Sequence, residues 1–242
     1  MNRLVLMVLR NLHHVPGAWW KLCHYAKHTE EYDELEKFAH IHYIMGLAVQ
    51  SGNIDLQVYG QENIPQENGF IMYGNHQGLF DVVALAATYK GPLAAVFKIE
   101  LENVPLVKQI IACTKSFAMD RDDVRQSMKV IQAVTEEVKK GRNYVIFPEG
   151  TRSKKGNEML PFHSGSFRSA LKAQCPIVPF TVINSYKVLD QKGSAPVAVQ
   201  LHYLPPIPYE EYQGMKTREL AQMVQGRIEE VIAANINHPD NE

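Results

Sequence analysis

His76 and Asp81, a histidine and an aspartate five residues apart, are the first candidates for chemistry in the sequence. A turn and the first turn of a helix between them can bring the carboxylate to the imidazole Nδ1, which fixes the tautomer and makes Nε2 a stronger base. The spacing alone is weak evidence, because His28 and Asp33 repeat it. We interpret that second pair as a decoy, since it falls in a polar link between two predicted helices and no strand precedes it.

Residues 147–153, with the sequence FPEGTRS, have the composition of an anion-binding turn. Gly150 lets backbone N–H groups approach an anion closely, and Thr151 adds a hydroxyl donor. Arg152 offers a planar fork of N–H donors that suits phosphate oxygens. An ordinary exposed turn with solvated charges is the alternative interpretation.

Arg121 follows another predicted strand and supplies a second guanidinium; a surface ion pair with Asp122 or Asp123 is the alternative. The sequence contains no Gly-x-Ser-x-Gly elbow, no phosphate loop of the Gly-x-x-x-x-Gly-Lys type and no Gly-x-Gly-x-x-Gly. Serine-hydrolase, nucleotide-triphosphatase and dinucleotide-binding functions are therefore not indicated. A base and a phosphate cradle without a protein nucleophile indicate that the substrate supplies the nucleophile, and a hydroxyl on a phosphorylated molecule fits.

From residue 54 onward, short β-branched or aromatic runs alternate with helical patterns, which predicts an α/β fold with a largely parallel sheet covered by helices. The carboxyl ends of such strands meet at one edge, so we expect the candidate residues there. The clearest helices are predicted over residues 122–140 and 217–235. The predicted strands are Ile54–Tyr59, Phe70–Tyr73, Leu93–Phe97, Ser116–Met119, Tyr144–Phe147, Ile177–Val182 and Val197–Tyr203.

The first fifty residues predict two helices, residues 2–26, broken near Pro16–Gly17, and residues 30–50. The first combines an apolar run, the Trp19–Trp20 pair and cations without anions, which suits the interface of an anionic bilayer. A hairpin docked on the sheet, with the tryptophans in the core, is the alternative. No apolar run reaches the roughly 18 residues of a membrane span. We expect the protein on the cytoplasmic side, without a secretory signal.

Composition excludes several classes of protein. The chain has 242 residues, 45% of them apolar, which is typical of a globular domain. Its 25 Lys and Arg balance 26 Asp and Glu, so no strong positive field indicates nucleic acid as a partner. The three cysteines are far apart, and neither a disulfide framework nor a metal site is expected.

Four motifs in this order resemble those of the glycerolipid acyltransferase superfamily: Asn75-His76-x4-Asp81, Asp120-Arg121, FPEGTRS at 147–153, and IVPF at 177–180. The likeness covers residues 54–205. It implies a seven-stranded α/β acyltransferase fold after a membrane-associating N-terminal segment. We accordingly divide the chain into an N-terminal helical segment, residues 1–52, and a catalytic domain, residues 53–242.

The resemblance also implies a reaction, in which acyl-CoA or acyl carrier protein, as co-substrate, acylates the sn-2 hydroxyl of lysophosphatidate to give phosphatidate. It makes His76 the general base and Asp81 its orienting partner, and Pro179 would shape a strand beside the site. We expect neither a metal nor a bound cofactor. The implied membrane-associating segment agrees with the composition of the first helix, so we expect a monotopic or peripheral protein on the anionic surface of the cytoplasmic face. The resemblance makes Arg121 and Arg152 the phosphate ligands, and Lys98 is a third candidate near a strand end. The substrate-binding residues that we expect are Asn75, Lys98, Arg121, Glu149, Gly150, Thr151 and Arg152.

Two departures from the family pattern leave the acceptor headgroup open. His163 follows Phe162, where many members have Lys or Arg, and Ala118 replaces a bulkier residue. His163 is either a protonated phosphate ligand or a helix-entry residue. The alternatives to lysophosphatidate acylation are transfer to glycerol 3-phosphate or another lysophospholipid, and a lipid-surface binding protein without activity.

Overall fold

A seven-stranded sheet forms the centre of the protein, in a computed structural model that describes residues 2–236. Met1 and residues 237–242, which the two predicted domains include, lie outside the described residues. The strands are β1 (Ile54–Tyr59), β2 (Ile71–Gly74), β3 (Ala94–Lys98), β4 (Phe117–Met119), β5 (Tyr144–Ile146), β6 (Ile177–Ile183) and β7 (Val197–Tyr203).

The strand order across the sheet is β1-β7-β6-β2-β5-β3-β4. Neighbouring strands are parallel except β6 and β7, which pair antiparallel from Phe180–Tyr203 to Ile183–Gln200. The predicted seven-stranded, largely parallel α/β fold is therefore confirmed. β2 is buried along its whole length, as expected of a central parallel strand that is covered on both faces.

Helices cover both faces of the sheet. On one face, α6 packs Val130, Val134 and Val138 into the same core cluster as residues of α10, in agreement with the predicted apolar stripes of these helices. The helices are α1 (Arg3–Arg10), α2 (Val15–Lys27), α3 (Glu34–Ser51), α4 (Phe80–Thr88), α5 (Val107–Thr114), α6 (Val124–Lys139), α7 (Arg168–Ala173), α8 (Tyr186–Leu189), α9 (Tyr209–Tyr212) and α10 (Thr217–Asn235), with 3₁₀ turns at Gln61–Asn63, Ile99–Leu101 and Ser164–Phe167.

The break in the first predicted helix lies earlier than expected. α1 ends at Arg10, and Pro16 belongs to the first turn of α2. A proline is tolerated there because the first N–H groups of a helix have no partner within the helix. The predicted break at Pro16–Gly17 is therefore wrong by one turn.

The N-terminal helices pack closely against the sheet domain. Met7 of α1 and Phe38 of α3 belong to a core cluster that includes Phe180 of β6. Arg3 is buried, and its guanidinium donates to the carbonyls of Gly52, Asn53, Val188 and Ala195 at 2.6–3.2 Å. These four hydrogen bonds from a buried guanidinium attach α1 to the segments that precede β1 and β7.

The tryptophan pair lies outside this core. Trp19 is 41% exposed and Trp20 is 67% exposed, so the alternative that places both indoles in the core is wrong. Leu4, Leu9 and Leu12 are also more than half exposed along the same N-terminal stretch. None of the helices within residues 2–236 has the length and apolar character that crossing a bilayer requires.

Candidate active site

Four neighbouring parallel strands bring the candidate residues to one edge of the sheet. β2 leads into the loop of His76, and β5 leads into the turn 147–153. β3 ends at Lys98, and β4 is followed by Asp120 and Arg121. Parallel strands that lie side by side emerge at the same edge, as the sequence predicts.

The side chains of His76 and Asp81 form a hydrogen-bonded couple. The imidazole Nδ1 lies 2.7 Å from Oδ2 of Asp81, whose side chain is completely buried. That oxygen also accepts the backbone N–H groups of Gln77 at 2.7 Å and Gly78 at 3.1 Å, and the hydroxyl of Ser185 donates to Oδ1. Because an ionised carboxylate only accepts, Nδ1 carries the proton and Nε2 presents its lone pair.

Nε2 of His76 is available to an incoming group. The imidazole is 19% exposed, and no hydrogen-bond partner faces Nε2 among residues 2–236. The ring stacks on Phe147, with centroids 4.3 Å apart and planes 24° apart. Phe147 thereby limits the rotation of the ring.

Glu149 fixes the backbone of the base. Its Oε1 accepts the N–H of His76 at 2.7 Å, and its Oε2 accepts the N–H of Leu160 at 2.9 Å. The N–H of Ser153 returns a bond to the carbonyl of His76 at 2.9 Å. Burial raises the pKa of Glu149 to about 7, against the opposing effect of its two N–H donors. Glu149 thus holds the two loops together.

Arg152 lies next to the loop that carries the couple. Its guanidinium is about one third exposed and forms an ion pair with Asp190. The other carboxylate oxygen of Asp190 accepts the N–H of Leu79 at 3.0 Å. Arg152 is therefore joined to the start of α4, three residues from His76.

Arg121 lies beside the FPEGTRS turn, near Gly150. Gly150 has a left-handed φ of +74°, and a Cβ on it would lie 3.0 Å from Cδ2 of His163 and 3.6 Å from Nη1 of Arg121. A glycine is required here both by the backbone conformation and by this close approach. Within residues 2–236 no ion pair joins Arg121 to Asp122 or Asp123, so that alternative is not supported.

A cavity of about 240 Å³ opens beside Arg121 and His163. These two side chains and several hydroxyl groups form its polar side, and most of the remaining lining side chains are apolar. His163 also precedes a 3₁₀ turn, as the helix-entry interpretation expects, and its role as a phosphate ligand stays a prediction. The cavity is lined by Val96, Met119, Arg121, Ser127, Ile131, Val134, Ile146, Phe147, Gly150, His163, Gly165, Ser166 and Ser169.

Three residues predicted to bind substrate lie in positions that favour such a contact less than the positions of Arg121 and Arg152 do. Lys98 is exposed and paired with Glu100. Thr151 is exposed and remains a predicted donor. Asn75 is buried, and its amide bonds both the N–H and the carbonyl of Val182, at 2.8 and 2.9 Å. Asn75 therefore ties β2 to β6, and its predicted contact with substrate is not favoured by these bonds.

Two residues at the site escaped the sequence analysis, Ser185 and Asp190. Both follow the carboxyl end of β6, so the rule that sites form at strand ends could have found them. The second histidine–aspartate pair of the same spacing has other partners in the structure. His28 bonds Glu31 at 2.8 Å, and Asp33 caps α3 by accepting the N–H of Leu35.

Comparison with known proteins identifies the family. A model of the family described as Acyltransferase matches residues 55–183, more than half of the chain. The chain belongs to the acyltransferase family. The matched region contains His76, Asp81, Arg121 and Arg152, and the resemblance drawn from the motifs is confirmed.

Individual relatives share this region. The 1-acyl-sn-glycerol-3-phosphate acyltransferase of Salmonella typhimurium is 36% identical over 166 residues, which cover 67% of this chain and 66% of that protein. The Escherichia coli protein of the same name is 32% identical over 164 residues, with the same coverage. The alignments thus span just under two thirds of the length of these relatives.

A solved structure shares the fold over almost the whole chain. The crystal structure of the 1-acyl-sn-glycerophosphate acyltransferase of Thermotoga maritima superposes with a TM-score of 0.77. The match covers 98% of both chains at 22% sequence identity. The N-terminal helices are therefore part of the shared architecture.

The raised pKa of Glu149 predicts a pH-dependent stability. The ordinary value is 4.5, so between pH 4.5 and about 7 the unfolded chain releases this proton while the folded protein keeps it. Wild type should lose stability as pH rises through this window, by at most about 1.4 kcal/mol per pH unit from this group. Urea unfolding at several pH values should show the stability of wild type falling relative to Glu149→Gln.

Glu100→Gln is the matched control. The hydrogen bond from Lys98 lowers the pKa of the exposed Glu100, so the contribution of Glu100 to the free energy of unfolding changes near and below pH 4.5. The difference between wild type and this control should stay nearly flat from about pH 5.5 to pH 7, where Glu100 is ionised in both the folded and the unfolded chain. A flat difference for Glu149→Gln as well would contradict the assignment.

Proposed function

We propose that the protein is a 1-acyl-sn-glycerol-3-phosphate acyltransferase, which transfers an acyl group from acyl-CoA or acyl carrier protein to the sn-2 hydroxyl of lysophosphatidate. The observation that carries the proposal is the His76–Asp81 couple, whose free Nε2 adjoins a turn bordered by Arg121 and Arg152. The names of the relatives from Salmonella typhimurium and Escherichia coli support the same acceptor.

The imidazole performs both proton transfers of the reaction. Nε2 of His76 removes the proton of the acceptor hydroxyl as that oxygen attacks the thioester carbonyl. The imidazolium that forms is stabilised by Asp81, which stays hydrogen-bonded to Nδ1. The C–O bond forms, the C–S bond breaks, and the imidazolium returns the proton to the departing thiolate sulfur. No covalent acyl-enzyme is required, since the substrate supplies the nucleophile.

The cationic side chains bind and orient the acceptor. Arg121 and Arg152 carry planar N–H forks that match phosphate oxygens in pairs. The aliphatic lining of the cavity beside Arg121 suits the acyl chain of an amphiphilic substrate. Because both substrates are held beside His76, the bimolecular reaction becomes effectively unimolecular, and this provides much of the rate enhancement.

Replacing the base tests this function. His76→Ala should reduce the rate of phosphatidate formation by about 10²- to 10⁴-fold, the usual contribution of a general base. The assay combines purified protein with lysophosphatidate and a thioester donor, and circular dichroism checks the fold. His28→Ala removes an exposed imidazole that is paired with Glu31 in the link between α2 and α3, and it should retain the wild-type rate.

The donor and the acceptor are varied in the same assay. Acyl-CoA and acyl carrier protein are compared as donors, and glycerol 3-phosphate and other lysophospholipids as acceptors. Greater activity with another acceptor would replace lysophosphatidate in the proposal. If His76→Ala keeps its activity, His76 is not the general base. If the wild-type protein binds lipid but transfers no acyl group, it is a binding protein.

We also propose that α1 and α2 attach the protein to the cytoplasmic face of an anionic membrane, as a monotopic or peripheral protein. Exposed leucines and the two tryptophans of these helices supply the apolar surface. Arg10 and Lys21 add positive charge, and neither helix contains Asp or Glu. Such surfaces lie at the headgroup level, with tryptophan at the boundary.

Substitution of the tryptophans tests the attachment. The Trp19→Ser, Trp20→Ser double variant should lower binding to phosphatidylglycerol-containing vesicles by more than about tenfold, because each indole loses its apolar contact with lipid. Vesicle sedimentation measures the bound fraction. Tyr59→Ser removes an exposed aromatic residue of the edge strand β1 and should bind as wild type. Equal binding of all three proteins would contradict the proposal.

A further inference from the structure

Arg152, which the proposed function assigns to the acceptor phosphate, is paired with a carboxylate of the protein itself. Asp190 follows α8, 38 residues along the chain, and its Oδ1 forms an ion pair with Nη1 of Arg152. The side chains of Asp190 and Arg152 are 26% and 32% exposed, so solvent reaches the pair. An anionic ligand that binds the Nη1 side of the guanidinium therefore competes with Asp190.

The second oxygen of Asp190 occupies a position prepared for an anion. Oδ2 accepts the N–H of Leu79, the residue before the nine-residue helix α4, which has no side-chain cap of its own. Helix N-termini favour negative charge. A Cβ on Gly78 would lie 2.5 Å from Oδ2, so the glycine leaves room for that oxygen. The carboxylate thus sits between Arg152 and the loop that carries His76.

We propose that Asp190 is an internal counter-anion of Arg152, which the phosphate of the acceptor replaces on binding. The inference rests on the proposed function, in which Arg152 binds that phosphate. A phosphate group carries more negative charge than a carboxylate and offers more acceptor oxygens to the fork. An acceptor without phosphate leaves the ion pair intact and gains nothing from Arg152. Asp190 thereby sets the preference for phosphorylated acceptors.

A role in orienting Arg152 makes the opposite prediction. If Asp190 serves to hold the guanidinium in its productive position, its loss weakens acceptor binding. If Asp190 competes with the phosphate, its loss strengthens binding. The sign of the change in KM separates the two roles.

Asp190→Asn is the test variant, because the amide oxygen can still accept the N–H of Leu79 while the negative charge is removed. We expect KM for lysophosphatidate, and the inhibition constant of inorganic phosphate, to fall about three- to fivefold, the size of a partly exposed ion pair. The change should fall on KM more than on kcat. Glu211→Gln breaks the comparable surface pair with Arg227 and should leave KM unchanged.

Repeating the Asp190 substitution in a variant that lacks Arg152 distinguishes the loss of the ion pair from a general effect of the removed charge. In Arg152→Gln, the further change Asp190→Asn should leave KM and the phosphate constant unaltered. A rise in KM for Asp190→Asn, no change, or the same fall in the Arg152→Gln background would overturn the proposal. Thermal unfolding checks each variant, and Asp190→Ser carries the same test if Asp190→Asn does not fold.

Failure of the proposed function would be seen separately. Wild type that acylates no lysophosphatidate refutes the function, whatever the variants do. Calorimetric titration with inorganic phosphate then still measures whether Asp190→Asn tightens the anion site. Unchanged or weaker phosphate affinity in that titration refutes the role of Asp190.

Discussion

The buried carboxylate of Asp81 is the interaction on which the rest of the site depends. A charge that is completely buried requires hydrogen-bond donors, because an unpaired one is strongly destabilising. Its donors are Nδ1 of His76, two backbone N–H groups of the same loop, and the hydroxyl of Ser185. Satisfying this one charge therefore fixes the loop conformation, the tautomer of the base and the position of the segment after β6 together.

The segment from Ser185 to Asp190 extends this arrangement to the rest of the molecule. Its first residue bonds Asp81, and its last holds Arg152 and the start of α4. Between them, the carbonyl of Val188 accepts Nε of Arg3 at 3.0 Å. His76, Arg152 and the N-terminal helices with their exposed apolar surface are thus connected by one short stretch of chain. The proposed substrate matches these parts, because lysophosphatidate is amphiphilic, with a phosphate at one end and an acyl chain at the other.

Most of the sheet and the centre of the site follow from local sequence, because β-branched runs and residue types at strand ends are local signals. The antiparallel pairing of β7 depends on how the chain returns after β6, which no local pattern encodes. The helix α4 is almost continuously apolar and so has no amphipathic period to detect. Asn75 is predicted to bind substrate as part of the Asn75-His76-x4-Asp81 motif, yet in the fold its amide bonds the backbone of β6, a partner that no local pattern shows. Asp190 was missed because its partner Arg152 is brought near only by the fold.

The account depends most directly on His76 and Asp81 acting as one unit, and a double-mutant cycle measures that. The rate constant for phosphatidate formation is determined for His76→Ala, Asp81→Asn and the double variant. Each single change should cost about 10²-fold or more, and the second change should add almost nothing to the first, since residues that act together are strongly non-additive. Losses that multiply in the double variant would show that the two side chains act independently and would contradict the mechanism.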